Sequence, residues 1–171
     1  ASGDGAVVKM ADATGSTDSF NIVTKVAGDL SFGTVDVAGV ETLKLNAVDT
    51  TPGTAAAPTI NTASLTVKAD KATSLTIEGS SNVTLTLDAT TTKLATIDAG
   101  TLTGNLDAGN TLNAVAMTIT GGKGADVLKA SMGATAKADV LNGGDGNDTL
   151  YAGSNGAKLT GGAGNDLFFV K

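Results

Sequence analysis

Apolar and polar residues alternate through most of this chain in short runs. Ser64-Leu65-Thr66-Val67-Lys68-Ala69 is answered by Ser74-Leu75-Thr76-Ile77-Glu78-Gly79 and then by Thr84-Leu85-Thr86-Leu87-Asp88-Ala89. Ala95-Thr96-Ile97-Asp98-Ala99 and Asn105-Leu106-Asp107-Ala108 follow. Alternation of period two is what a half-buried strand requires. The second inward residue of each run, continued to the end, forms a ladder: Val67, Ile77, Leu87, Ile97, Leu106, Ile119, Leu128, Leu141, Leu150, Leu159 and Phe168. Its steps are 10, 10, 10, 9, 13, 9, 13, 9, 9 and 9 residues, and each long step is nine plus four. One short repeat cannot bury its apolar residue alone, whereas stacked repeats make a continuous core. The pattern therefore predicts an all-β fold, a right-handed parallel β-solenoid or β-roll, with no amphipathic helix.

Earlier runs read the same way. Strands are predicted at Ala6–Met10 and Phe20–Thr24, flanking a polar turn over Asp12–Ser19, and at Thr34–Val37 and Val40–Asn46. Val48–Thr62 holds Pro52, Gly53, Pro58 and three consecutive alanines and reads as an exposed loop. The expected organisation is one continuous domain in three stretches. Residues 1–63 are strands and a loop packing on or starting the solenoid, 64–120 are solenoid coils, and 121–171 are coils with a distinct turn.

That turn is a nine-residue string present three times. Gly121-Gly122-Lys123-Gly124-Ala125-Asp126-Val127-Leu128-Lys129, Gly143-Gly144-Asp145-Gly146-Asn147-Asp148-Thr149-Leu150-Tyr151 and Gly161-Gly162-Ala163-Gly164-Asn165-Asp166-Leu167-Phe168-Phe169 all read G-G-x-G-x-D-x-U-x, with U a large apolar residue. Glycines at positions one, two and four allow positive φ and a tight turn. Such a turn aims several carbonyl oxygens at one point, and the Asp at position six adds a carboxylate. Oxygen-only ligation suits a hard cation that takes six to eight ligands, which is calcium rather than zinc or copper. One loop offers too few ligands, so an ion is expected between two stacked loops. The spacings, 18 residues from Gly143 to Gly161 and 22 from Gly121 to Gly143, are two repeats and two repeats plus four. Strong loops thus alternate with degenerate ones, Ala134–Asn142 and Ala152–Thr160, and should line opposite sides. The extra Ala130-Ser131-Met132-Gly133 reads as a bulged turn on the degenerate side.

Composition narrows the chemistry. The 171 residues carry 11 Lys against 17 acids, a formal charge of −6, and fifteen of the acids are Asp. Arg, His, Cys and Trp are absent. Without His or Cys there is no Ser-His-Asp triad, no H-E-x-x-H zinc site and no thiol nucleophile, so the expectation is no enzyme. The acidic balance disfavours nucleic acid and anionic membranes, and no apolar run is long enough to span a bilayer. Aromatics make up 3% of residues, so the core must be Leu, Val, Ile and Ala. Asp12, Asp18, Asp29, Asp36, Asp49, Asp70 and Asp88 read as solvated turn residues. Met117 and Met132 read as filler, Phe168 as a core residue and Phe169 as an end cap. The lysines read as solubilising charges that also protect sheet edges. The chain starts at Ala1 without Met and is expected to be a piece of a longer protein.

The nonapeptide resembles the repeat of RTX (repeats-in-toxin) proteins, which implies a calcium-binding parallel β-roll. In that family one loop supplies the carbonyls of positions two and four and its Asp. The loop one coil later supplies the carbonyls of positions one and three and its own Asp. The resemblance implies a first calcium site from Gly122, Gly124, Asp126, Gly143, Asp145 and Asp148. It implies a second from Gly144, Gly146, Asp148, Gly161, Ala163 and Asp166, with Asp148 bridging at least two ions. Asp139 lacks glycines before it and faces a loop with Ala157 in the Asp place, so a site there is disfavoured. Below Gly121, Gly104 falls at position six, and Asp98 or Asp107 is a candidate for an irregular site.

Residues 1–120 resemble, more loosely, the stretch before the RTX repeats of bacterial surface-layer proteins exported by type I secretion. The resemblance rests on Ala38–Leu45, Ala72–Gly79 and Thr96–Ala99. It implies a calcium-dependent structural module at the cell surface that stays largely unfolded where calcium is scarce and self-associates into a lattice. It also implies a secretion signal beyond the closing Leu167-Phe168-Phe169-Val170. The alternatives are the RTX tail of a secreted protease, lipase or toxin, and a segment of an RTX adhesin.

Overall fold

The computed structural model describes residues 7–9, 15–51, 59–108, 115–132, 138–154 and 156–170. Residues 52–58 of the expected 48–62 loop, Asp12 and residues 134–137 of the degenerate repeat at 134–142 lie outside the described residues. Among the described residues, fifteen strands and no helix make up the fold. They form two sheets in strict alternation along the chain, and every pairing is parallel. One sheet holds β1 (Val7–Lys9), β3 (Leu30–Ala38), β5 (Thr62–Lys68), β7 (Asn82–Leu87), β9 (Leu106–Ala108), β11 (Val127–Lys129), β13 (Thr149–Tyr151) and β15 (Leu167–Phe169), in that spatial order. The other holds β2 (Ser19–Val26), β4 (Thr42–Asp49), β6 (Ser74–Gly79), β8 (Thr96–Leu102), β10 (Thr118–Thr120), β12 (Asp139–Asp145) and β14 (Ala157–Ala163), also in order. The molecule is a parallel β-solenoid with two strands per coil, one in each sheet.

Alternation builds the core. Inward Leu, Ile, Val and Ala from both sheets pack in one cluster running from Ile22 to Leu150. Outward positions carry Thr, Ser, Asn, Lys and Asp. β-Branched Thr favours the extended backbone. Three lysines are not isolated edge charges: Lys44, Lys68 and Lys129 pair across strands with Glu78, Asp36 and Asp107.

The ladder holds in the last coils and slips in the earlier ones. Ile97, Ile119, Leu141 and Leu159 stack in register in one sheet, and Leu128, Leu150 and Phe168 in the other. Val67 and Leu87 also pair. Ile97, however, lies over Leu75 rather than Ile77, with a bulge following. Leu106 lies over Val83 rather than Leu87, and Leu128 lies over Ala108 rather than Leu106. A slip by two or four residues keeps every side chain on its own face, so alternation alone cannot choose among inward residues.

Among the solvated-turn aspartates, Asp49 differs from expectation. It is buried, and its carboxylate accepts from the Thr51 and Asn61 N–H groups and the Asn61 amide. These bonds hold its pKa below the usual carboxylate range, the Asn61 backbone contributing most. The carboxylate thus fastens both described ends of the 49–61 connection.

Candidate metal centre

The three strong loops stand in one column. Each carries the chain from the second sheet to the first, as β10 to β11, β12 to β13 and β14 to β15. The degenerate turns, β11 to β12 and β13 to β14, stand on the other side. The 130–133 insertion belongs to that far side, where Ala130 and Ser131 are buried and Met132 is exposed.

The glycines do two separate jobs. Gly144, Gly146, Gly162 and Gly164, at positions two and four of the later loops, have φ of 107°, 122°, 113° and 130°, a region that excludes most side chains. Position one of every loop, and positions two and four of the first (Gly122 and Gly124), lack the expected positive φ and need glycine for space. A Cβ on Gly121 would meet the Gly143 carbonyl oxygen and Oδ2 of Asp126. A Cβ on Gly143 would meet Oδ2 of Asp148 and lie 2.5 Å from the Gly161 carbonyl oxygen. In each of these two loops one Cβ-sized space is therefore bounded by a carboxylate oxygen from its own Asp and a carbonyl oxygen from the next coil.

The carbonyl oxygens of positions two and four also lie against the next coil. Those of Gly122 and Gly124 stand where a Cβ on Gly144 and Gly146 would, and those of Gly144 and Gly146 where a Cβ on Gly162 and Gly164 would. From above, the Ala163 carbonyl accepts the Gly146 N–H at 2.8 Å. Asp145 is exposed, and its N–H donates to the Gly122 carbonyl.

The position-six carboxylates form a buried acidic column. Asp126 is 0% exposed and Asp148 1%. Asp126 accepts from the Leu106 and Gly122 N–H groups, both at 2.6 Å. Asp148 Oδ1 accepts the Asp126 N–H at 2.8 Å, and Asp166 Oδ1 accepts the Asp148 N–H at 3.0 Å. Oδ2 of Asp148 is buried with no hydrogen-bond partner. It and the Gly161 carbonyl oxygen bound the same space beside Gly143. Burial pushes the Asp126 carboxyl up to about 6, opposed by the Leu106 and Gly122 N–H groups, with the Asp148 charge adding to the rise. Burial likewise raises Asp148, opposed by the Asp126 N–H, while Asp166 and Asp145 add to the rise. Such a column, mostly carbonyl with one carboxylate per loop, fits a hard cation. Among the described residues no three His, Cys, Asp or Glu side chains gather as a metal group.

The other candidate acids lie elsewhere. Asp139 is buried, and its two oxygens accept from the Met117 and Ser131 N–H groups at 2.7 and 2.6 Å. Across from it stands Ala157. Asp98 accepts its neighbour Gly100 N–H, and Asp107 faces outward to Lys129 at 3.6 Å. Neither reaches the loop column. Position six below Asp126 is Leu106, not Gly104, because Asp107 pairs with Val127. Gly104 occupies position four, where its carbonyl underlies Gly124.

An asparagine column beside the loops escaped the sequence reading. Asn82 Oδ1 accepts the Asn105 N–H, Asn105 Oδ1 accepts the Ala125 N–H, and Asn147 Oδ1 accepts the Asn165 N–H. The signal was an Asn immediately before Val83, Leu106, Asp148 and Asp166. The same turn thus runs through coils with and without a carboxylate.

Residues 118–134, 134–156 and 158–170 match the RTX calcium-binding nonapeptide repeat (4 copies) family. The C-terminal coils are RTX repeats in a β-roll, and such repeats bind calcium. Comparison with curated proteins found no match.

Proposed function

We propose that this chain is a calcium-binding structural module of a secreted bacterial surface-layer protein, which completes its fold and self-associates when calcium binds outside the cell. The observation that carries the calcium part is Asp148 Oδ2, buried and unpartnered against the Gly161 carbonyl. At that point a cation would have Gly144, Gly146, Gly161 and Ala163 carbonyls and the Asp148 and Asp166 carboxylates around it. The neighbouring space would use Gly122, Gly124, Asp126, Gly143, Asp145 and Asp148, giving two ions. Calcium would neutralise a column of buried like charges, so binding free energy becomes folding free energy. A structural rather than catalytic role rests on a sequence with neither imidazole nor thiol. The surface-layer assignment rests on the resemblance of residues 1–120 and on the solenoid form they take.

Far-ultraviolet circular dichroism tests the reading. Titrating chelator-treated protein with calcium should add strand signal with a midpoint at about 10⁻⁴–10⁻³ M, the range of extracellular calcium modules. A full strand spectrum in chelator that calcium leaves unchanged refutes the switch.

A further inference from the structure

The two inter-loop spaces use the same loop positions, yet their carboxylates are not equally free. Beside Gly121, Oδ2 of Asp126 stands with the Gly143 carbonyl oxygen and already accepts the Gly122 N–H at 2.6 Å. Beside Gly143, Oδ2 of Asp148 stands with the Gly161 carbonyl oxygen and accepts no hydrogen bond, from Gly144 or any other residue. Backbone conformation divides the loops in the same way. Gly144 and Gly146 have positive φ, as Gly162 and Gly164 do, whereas Gly122 and Gly124 do not. Charge divides them again. Position three of the loops around the first space carries Lys123 and Asp145, which cancel; around the second it carries Asp145 and Ala163, which leave one negative charge. Lys123 and Asp145 are both exposed. An asparagine also bridges the second and third loops, Asn147 Oδ1 accepting the Asn165 N–H, while Ala125 has no side-chain acceptor to offer the second loop.

We infer that the two calcium sites are unequal and fill in order. The site between the second and third loops fills first, and the site between the first and second loops fills later, with the Gly122 N–H as an internal competitor for the later ion. The inference rests on the calcium reading above. A carboxylate ligates through oxygen lone pairs. On Asp126 Oδ2 a backbone donor already uses one, and the N–H dipole turns positive charge toward the place an ion would take. Loading that site either costs the hydrogen bond or requires Gly122 to adopt the φ of Gly144 and carry its N–H away. Asp148 Oδ2 needs neither change. Losing one hydrogen bond to a charged group on binding weakens an affinity by about tenfold. The Lys123 ammonium acts in the same direction, and weakly, because it is solvated and screened. Two unequal sites stretch the response over a wider calcium range than two equal sites would give.

The test is the calcium-binding isotherm of the full chain, measured by equilibrium dialysis, with circular dichroism on the same samples to report folding. Wild type should bind in two steps with affinities about tenfold apart. Asp166→Asn changes a ligand of the second site alone and should remove the tight step. Asp126→Asn changes a ligand of the first site alone and should remove the weak step and keep the tight one. Lys123→Ala, an exposed change that touches no ligand, carries the test if Asp126→Asn fails to fold. It should strengthen the weak step about two- to threefold at low salt and leave the tight step in place. Both ions bound with one affinity, a tight step that survives in Asp166→Asn, or Lys123→Ala acting on the tight step overturns the inference and leaves the calcium reading standing. A wild-type chain that binds no calcium overturns the reading on which it rests.

Discussion

Replacing Asp148 by Asn should have opposite effects with and without calcium. In chelator the wild-type carboxylate is a burden. It is 1% exposed, flanked by Asp126 and Asp166 in the same column, and its Oδ2 has no donor. An Asn carbonyl oxygen keeps the bond to the Asp126 N–H. Its amide points at the Gly161 carbonyl and adds a hydrogen bond worth about 1 kcal/mol. Relief of the unsatisfied buried acceptor raises the expected gain to about 1–2 kcal/mol. In calcium the sign reverses. At about 10 mM calcium, a site with a dissociation constant of about 10⁻⁴–10⁻³ M stabilises the fold by about 1.4–2.7 kcal/mol. In the proposed ligation Asp148 serves both ions, so the variant should lose about 3–5 kcal/mol of calcium-derived stability. Urea unfolding followed by circular dichroism, with and without calcium, measures both arms. A variant less stable than wild type in chelator, or one whose calcium stabilisation equals wild type's, would refute the assignment of Asp148 as the shared carboxylate.

Gly143→Ala should abolish calcium stabilisation at one inter-loop space, because the methyl occupies the volume between Asp148 Oδ2 and the Gly161 carbonyl. Gly156→Ala, at φ 76° with open space around it, should cost about 1 kcal/mol of backbone strain and leave the calcium titration unchanged. Ala125→Asn should extend the asparagine column by offering Oδ1 to the Asn147 N–H, raising stability by about 0.5–1.5 kcal/mol in urea melts. In chelator, stability should rise as pH falls from about 7.5 to 5. The Asp126 carboxyl, at about 6 when folded, lies above its ordinary value of 3.8, so folding takes up a proton across that window. A urea midpoint that falls on acidification in chelator contradicts the burial of Asp126.

Much of this architecture is legible in the residues. Period-two alternation, the nine-residue spacing and the G-G-x-G-x-D strings place the last coils and the loop column correctly. They do so because the Gly and Asp positions are tied to particular backbone conformations. Earlier coils lack such pins. Leu75 and Ile77 both face inward, as do Leu85 and Leu87, and only packing decides which lies beneath Ile97 or beside Ala108. The same freedom hid Leu106 at position six, since the sequence gives no hint of the extra residue between Asp98 and Thr101. Asp49 looked like a turn residue because its partner Asn61 is 12 positions away.

The turn that holds Asp126 and Asp148 also occurs one and two coils earlier, with Leu106 and Val83 in the carboxylate's place. In those coils an apolar side chain anchors the turn in the core; in the later ones the anchor is a charge that wants an ion. On the calcium reading proposed above, the first coils are held by apolar anchors with or without the ion, and the last coils are stabilised by it. Calcium would then lengthen the persistently ordered rod in increments of about 4.8 Å per coil.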